Sequence, residues 1–163
     1  MGTTFGKAFI SLFQEPEPRI MFFGLFFTGK SSILHQLKTG EALSKNMPTI
    51  GFECGSVKYK NSSFSFFEIE GRSLYREISI WKRYFEKASG FVYVVDSTDR
   101  KGIEEAKSFL YRVMDEMQGN VPDNAPVLVY ANKHEVPGAM SASEISYKLD
   151  LASLRQRNWQ RNW

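Results

Sequence analysis

The sequence predicts an α/β fold in which a mostly parallel sheet, with one antiparallel hairpin strand, carries helices on both faces. Three observations predict it. The stretch Gly24-Leu25-Phe26-Phe27-Thr28-Gly29-Lys30-Ser31 fits the phosphate-loop pattern G-x-x-x-x-G-K-[ST] at every fixed position, entered by the apolar run 20–23 and left by a helical pattern over 31–38. Two further unbroken apolar runs, 91–95 and 127–130, read as strands covered on both faces. Between them Ile103, Ala106, Phe109, Leu110, Val113, Met114 and Met117 mark one face of a long helix.

Taken in order, residues 1–14 place Phe5, Phe9, Leu12 and Phe13 on one side of a short amphipathic helix. Pro16 and Pro18 end it and separate it from the main domain, 18–163. Such a helix packs on its own domain or lies on a membrane surface, and Gly2, next to Met1, stands where N-myristoylation occurs, although that motif prefers Ser or Thr where this chain has Gly6. In the phosphate loop, Gly24 and Gly29 let successive N–H groups converge on phosphate oxygens, and the following helix turns its positive end to the same anion. Lys30 would pair with the outer phosphates, and the Ser31 hydroxyl would ligate the accompanying Mg2+. In 31–38, Ile33, Leu34 and Leu37 share a face.

After a polar stretch without periodicity at 40–47, a loop of the kind that can carry a mobile ligand, 52–60 and 63–69 alternate around a turn at Asn61-Ser62, which predicts an antiparallel hairpin. Cys54, the only cysteine, reads as a buried small apolar residue, and with no disulfide framework a reducing cytosol is the natural compartment. At 163 residues the chain suffices for one core without staples. The longest apolar stretch, 20–27, is too short to span a bilayer, and the start lacks the pattern of a secretory signal. A net charge of +3, with Lys and Arg dispersed, gives no support for nucleic-acid binding.

With these pieces placed, the chain resembles the ADP-ribosylation factor family of small GTP-binding proteins almost from end to end. The resemblance rests on the Gly2 start, on the phosphate loop, and on Pro48-Thr49-Ile50-Gly51-Phe52 and Tyr59-Lys60-Asn61. It continues through Arg83-Tyr84-Phe85, Val94-Val95-Asp96-Ser97, Ala131-Asn132-Lys133 and Leu154-Arg155-Gln156-Arg157. It implies the P-loop small-GTPase fold and a monomeric GTP/GDP switch whose cofactors are guanine nucleotide and Mg2+. It also implies a nucleotide site drawn from Gly24, Phe27, Thr28, Gly29, Lys30, Ser31, Ser32, Thr49, Gly71, Asn132, Lys133 and Glu135. Ser31 and Thr49 would hold the metal, Glu68 would reach it through water, and Gly71 would donate its N–H to the γ-phosphate. The implied partners are exchange factors, GTPase-activating proteins, coat or effector proteins and a membrane surface, with a place in the cytoplasm and on the Golgi membrane in ER–Golgi vesicle transport.

The departures from the family pattern fall on the chemistry. At the second switch the family's Asp-Val-Gly-Gly-Gln is replaced by Glu68-Ile69-Glu70-Gly71-Arg72. Glu68 carries an extra methylene, Glu70 adds negative charge beside the γ-phosphate position, and Arg72 stands for the glutamine that orients water, although a guanidinium has no acceptor. No catalytic residue is therefore assigned beyond noting Arg72 at that position, and hydrolysis is expected to be slow or absent. The stretch from Gly71 to Trp81 also looks longer than the family norm. The guanine motif reads Asn132-Lys133-His134-Glu135 in place of Asn-Lys-x-Asp, with His134 a solvent-facing loop residue. Phe26 and Phe27 replace small or acidic residues and would either pack inward or crowd the phosphates. Relative to the family, the expected last strand and closing helix are missing, which would leave 127–130 as an exposed edge.

Three readings compete: an ARF-like switch, a nucleotide-independent or weakly binding pseudo-GTPase module, and a small-molecule kinase. The third is set aside, because no lid-like Arg cluster is present and the Pro48-Thr49 switch belongs to GTPases.

Overall fold

A computed structural model of the chain describes residues 17–43, 49, 51–121 and 125–155, with the side chains of residues 72, 73, 75 and 155 outside the described set. The expected helix at 1–14, Gly2, and positions 48, 50 and 156–163 lie outside the described residues.

Among the described residues, five strands form one sheet in the order β2-β3-β1-β4-β5: β1 (Arg19–Phe23), β2 (Phe52–Tyr59), β3 (Ser62–Ile69), β4 (Gly90–Asp96) and β5 (Val127–Asn132). Only the β2–β3 pair is antiparallel; β1 runs parallel to β3 and β4, and β4 to β5. This is the mixed sheet that the resemblance implies, one antiparallel pair with the rest parallel. The helices among the described residues are α1 (Lys30–Thr39), α2 (Gly71–Arg76), α3 (Ile78–Phe85), α4 (Ile103–Met117), α5 (Ala142–Lys148) and α6 (Leu151–Arg155).

Strand alternation divides the core into two layers, because successive side chains point to opposite faces. Met21 and Phe23 of β1 join Phe91, Tyr93 and Val95 of β4 on the face covered by α3 to α6. Ile20, Phe22, Val92 and Val94 face the other way and meet Leu34 of α1, with Ile33 and Leu37 packed alongside. All seven periodic residues of α4 are buried, as the spacing predicts. The Tyr93 hydroxyl, inside this layer, donates to the Ala106 carbonyl at 2.7 Å.

Two expectations are corrected. The hairpin turn falls at Lys60-Asn61 instead of Asn61-Ser62, since Tyr59 pairs with Ser62 and Lys60 takes the positive φ of 53° that a two-residue hairpin demands. Cys54 is exposed, not buried, because β2 is an outer strand of the sheet. At the opposite side β5 pairs only with β4 among the described residues, and its side chains are all half-buried.

Parallel pairing brings the ends of β1, β3, β4 and β5 to one side. Glu68 lies level with Phe22, and Asp96 with Asn132. Loops that leave such strand ends form a crevice where ligands bind in open α/β sheets.

Candidate nucleotide-binding site

The phosphate loop leaves β1 through two glycines that no other residue could replace without rearrangement. Gly29, at φ 95°, caps α1, and a methyl group there would come within 2.2 Å of the Asn132 amide nitrogen. Gly24 presses on the backbone of β4, where a methyl would meet the Val94 carbonyl oxygen at 2.4 Å. The loop is thus a cradle that a Cβ would fill. Lys30, the first residue of α1, is buried and folds back so that its Nζ donates to the carbonyls of Leu25 (2.9 Å) and Gly24 (3.2 Å). Burial lowers its pKa to about 8, while the carboxylates of Glu68 and Glu70 act in the opposite direction. A phosphate would supply the compensating charge that burial withholds.

Beyond Lys30, three oxygens from three segments meet. Ser31 donates its hydroxyl to Glu68 Oε1 at 2.7 Å, Thr49 donates to the same oxygen at 2.9 Å, and the two hydroxyl oxygens stand 2.9 Å apart. Glu68 is only 1% exposed, and its second oxygen, Oε2, has no hydrogen-bond partner among the described residues. A buried carboxylate left half-satisfied costs free energy unless a cation or donor completes it. Hard oxygen donors with one carboxylate suit Mg2+, which takes few protein ligands and draws the rest from phosphates and water. The residues therefore fit the metal as well as the nucleotide.

These groups open onto a cavity of about 370 Å³. Gly29, Lys30, Ser31, Ser32 and Thr49 line its phosphate end together with Glu68 and Glu70, and Asn132, Lys133 and Glu135 line the other end. Gly24, Thr28 and Gly71 support this wall from behind. Thr28 is buried, donating its hydroxyl to the Leu25 carbonyl and accepting from Asn132. Gly71 opens α2 and is seated so closely on the loop that a Cβ would stand 2.6 Å from the Gly24 carbonyl oxygen. Its predecessor, Glu70, is the residue that lines the cavity. Arg72 is the second residue of α2; its side chain is outside the described set.

At the base end Lys133, at φ 61°, donates Nζ to the Phe27 carbonyl at 2.8 Å and to Asp96. Burial pushes the Asp96 carboxyl up, but bonds from Lys133 and from the Thr98 hydroxyl and N–H outweigh it and hold the carboxyl below its usual value. His134 is exposed, as expected. Of the two alternatives for the loop phenylalanines, inward packing is not what forms. Phe27 is 66% exposed at φ 57°, edge-on to the half-exposed Phe26 ring at 4.3 Å, and both line the cavity.

Sequence reasoning gave no role to Leu43 or Asp96. Leu43 lines the cavity from a polar loop without periodicity, so no pattern marks it. Asp96 carried a signal, an acidic residue ending a buried parallel strand at the ligand-binding side of a sheet.

The model of the ADP-ribosylation factor family matches residues 5–162. The chain belongs to the ADP-ribosylation factor family. Among solved structures, this ARF-family chain is similar to the Arl6 (BBS3) small GTPase of Trypanosoma brucei with bound nucleotide analogue GppNp. The two are 23% identical with a TM-score of 0.74, over 89% of this chain and 83% of that one. It is also similar to the structure of the mammalian SRP receptor, at 25% identity and a TM-score of 0.72, over 85% of this chain and 76% of that one. The loop at 24–31, Thr49, the stretch 68–72 and the segment 132–135 are the segments that the resemblance leads one to expect as the phosphate loop, the two switches and the guanine motif.

Proposed function

We propose that this chain is a guanine-nucleotide switch of the ARF type, a peripheral membrane protein acting in vesicle-mediated transport between the ER and the Golgi. The observation that carries the nucleotide reading is convergence. Lys30 and Ser31 from the phosphate loop, Thr49, Glu68, and Asn132 with Lys133 come from four separate segments to one cavity. GTP or GDP would be held at the phosphates by the loop and Lys30, with the purine beside Asn132, Lys133 and Glu135. Mg2+, when bound, neutralises phosphate charge; Ser31, Thr49 and Glu68 are the residues that would hold it. The membrane and Golgi parts of the reading rest on family membership together with Gly2 and the Phe5, Phe9, Leu12 and Phe13 face. Exchange factors, GTPase-activating proteins and coat or effector proteins are the partners such a switch would need.

Two observations favour a second reading, in which nucleotide binds weakly and the chain works as an interaction module. The Glu135 side chain is 73% exposed instead of being held toward a base, and Glu70 brings negative charge into the phosphate cavity. Calorimetric titration with GDP, GTP and ATP in excess Mg2+ separates the readings. Guanine-selective binding supports the switch, and no binding of any of the three leaves the module. For the membrane part, acylated protein is floated with liposomes, with and without Phe9→Glu plus Phe13→Glu. Equal flotation would show that the helix does not engage the membrane.

A further inference from the structure

We propose that the ring of Phe27, braced by Phe26, is the platform on which a nucleotide base stacks, so that the cavity grips the base by its flat face. The inference rests on the nucleotide reading of this cavity and adds the side chain that holds the base. The family resemblance offers no such ring, since it places small or acidic residues at these two positions.

Folding alone does not account for a phenylalanine at position 27. Its backbone is left-handed at φ 57°, a conformation that bulky residues rarely take and that glycine adopts at less cost. Burial gives little in return, because the residue is 66% exposed and apolar surface left in water adds nothing to stability. The backbone is nevertheless tied down. Lys133 Nζ donates to the Phe27 carbonyl at 2.8 Å, and the Asn132 amide donates to the next carbonyl, that of Thr28, at 2.8 Å. The Phe26 ring packs edge-on against the Phe27 ring at 4.3 Å, which steadies an otherwise exposed side chain. Strained residues that their surroundings hold in place cluster at ligand clamps.

The position of this residue says what the clamp would hold. Phe26 and Phe27 line the cavity of about 370 Å³, and with Leu43 they are the apolar side chains in a lining that is otherwise glycine, polar or charged. The two hydrogen bonds from Asn132 and Lys133 stitch Phe27 to the segment that the nucleotide reading gives to the base. The other way to hold a base is an acceptor at its edge, and Glu135 is the residue expected there. Its side chain is 73% exposed and stands 3.8 Å from His134, so it is not drawn toward the cavity. An aromatic face therefore stands ready where the edge contact does not. Stacking is tolerant of base identity because every base has a π face. The stack adds about as much for adenine as for guanine, and more for either than for the smaller ring of a pyrimidine.

The test is calorimetric titration of GDP, ADP, CDP and inorganic pyrophosphate, in excess Mg2+, onto the wild type, Phe27→Ala and Phe27→Trp. Phe27→Ala is expected to weaken GDP and ADP alike by about tenfold, CDP by less, and pyrophosphate hardly at all, while Phe27→Trp keeps the purine affinity. Equal losses for GDP and pyrophosphate would mean that the ring only shapes the loop, and that result overturns the proposal. In the wild type, nuclear Overhauser contacts are expected between the Phe27 ring protons and the base protons of bound GDP. Their absence overturns the proposal even if Phe27→Ala fails to fold. The two readings fail separately. GDP binding that is indifferent to Phe27→Ala sinks the stack and leaves the switch standing, whereas a wild-type protein that binds no GDP sinks both.

Discussion

Asn132 donates its side-chain amide to the Thr28 carbonyl at 2.8 Å, tying the end of β5 to the phosphate loop. The same amide nitrogen occupies the space a side chain at position 29 would need. Base end and phosphate end are therefore built as one piece, and Gly29 is confined by a residue far along the chain.

Gly29→Ala is expected to destabilise the nucleotide-free protein by about 2 kcal/mol or more, combining left-handed backbone strain with the clash on Asn132. In an Asn132→Ala background only the backbone part remains, roughly 1 kcal/mol. Denaturant unfolding of the four proteins in this cycle measures the difference. Additive effects would show that the two residues do not share that space.

Glu70 lines the phosphate end of the cavity alongside Glu68. Its replacement by Gln should favour the triphosphate, because a like charge is removed from beside the outer phosphate. An interaction of about 1–2 kcal/mol would raise the GTP-to-GDP affinity ratio about tenfold. Calorimetry of the variant with both nucleotides reads this ratio directly, and an unchanged ratio would place the γ-phosphate away from Glu70.

Arg72 is the second residue of α2, and the resemblance puts it at the position of the family's water-orienting glutamine. Single-turnover phosphate release should therefore be slow in the wild type and faster in Arg72→Gln, which restores an acceptor for the attacking water. A slower variant would refute the assignment.

The Asp96–Lys133 pair sets an acid limit on the base end of the site. The Asp96 carboxyl titrates below its usual value in the folded chain, so the unfolded chain binds its proton first as pH falls. Its stabilising contribution is present above the unfolded value, about 3.9, and disappears as pH drops through the lower folded value. Asp96→Asn should be less stable than wild type at pH 7, and the gap should close on acidification below about pH 4. Thermal unfolding of both proteins from about pH 7 to about pH 3 follows it. A gap that stays constant would mean that the carboxylate charge is not what stabilises the pair.

The phosphate loop, the three inner strands and the buried face of α4 were decided by the sequence itself, because each is a local pattern. Alternation or an unbroken apolar run marks a strand, a spacing of three and four marks a helix face, and Gly24, Gly29 and Lys30 stand at fixed intervals along a few consecutive residues. Only the tertiary structure decided what depends on which strands are neighbours. Cys54 is exposed because β3, not β2, inserts beside β1 and leaves β2 outermost. The two-residue register of the β2–β3 pair, not the polarity of Asn61 and Ser62, placed the turn at Lys60. The meeting of Glu68 with Ser31 and Thr49, and of Lys133 with Asp96, joins residues 18 to 37 positions apart. No periodicity in one dimension encodes such distances; they are set when parallel strands align their ends at one side of the sheet.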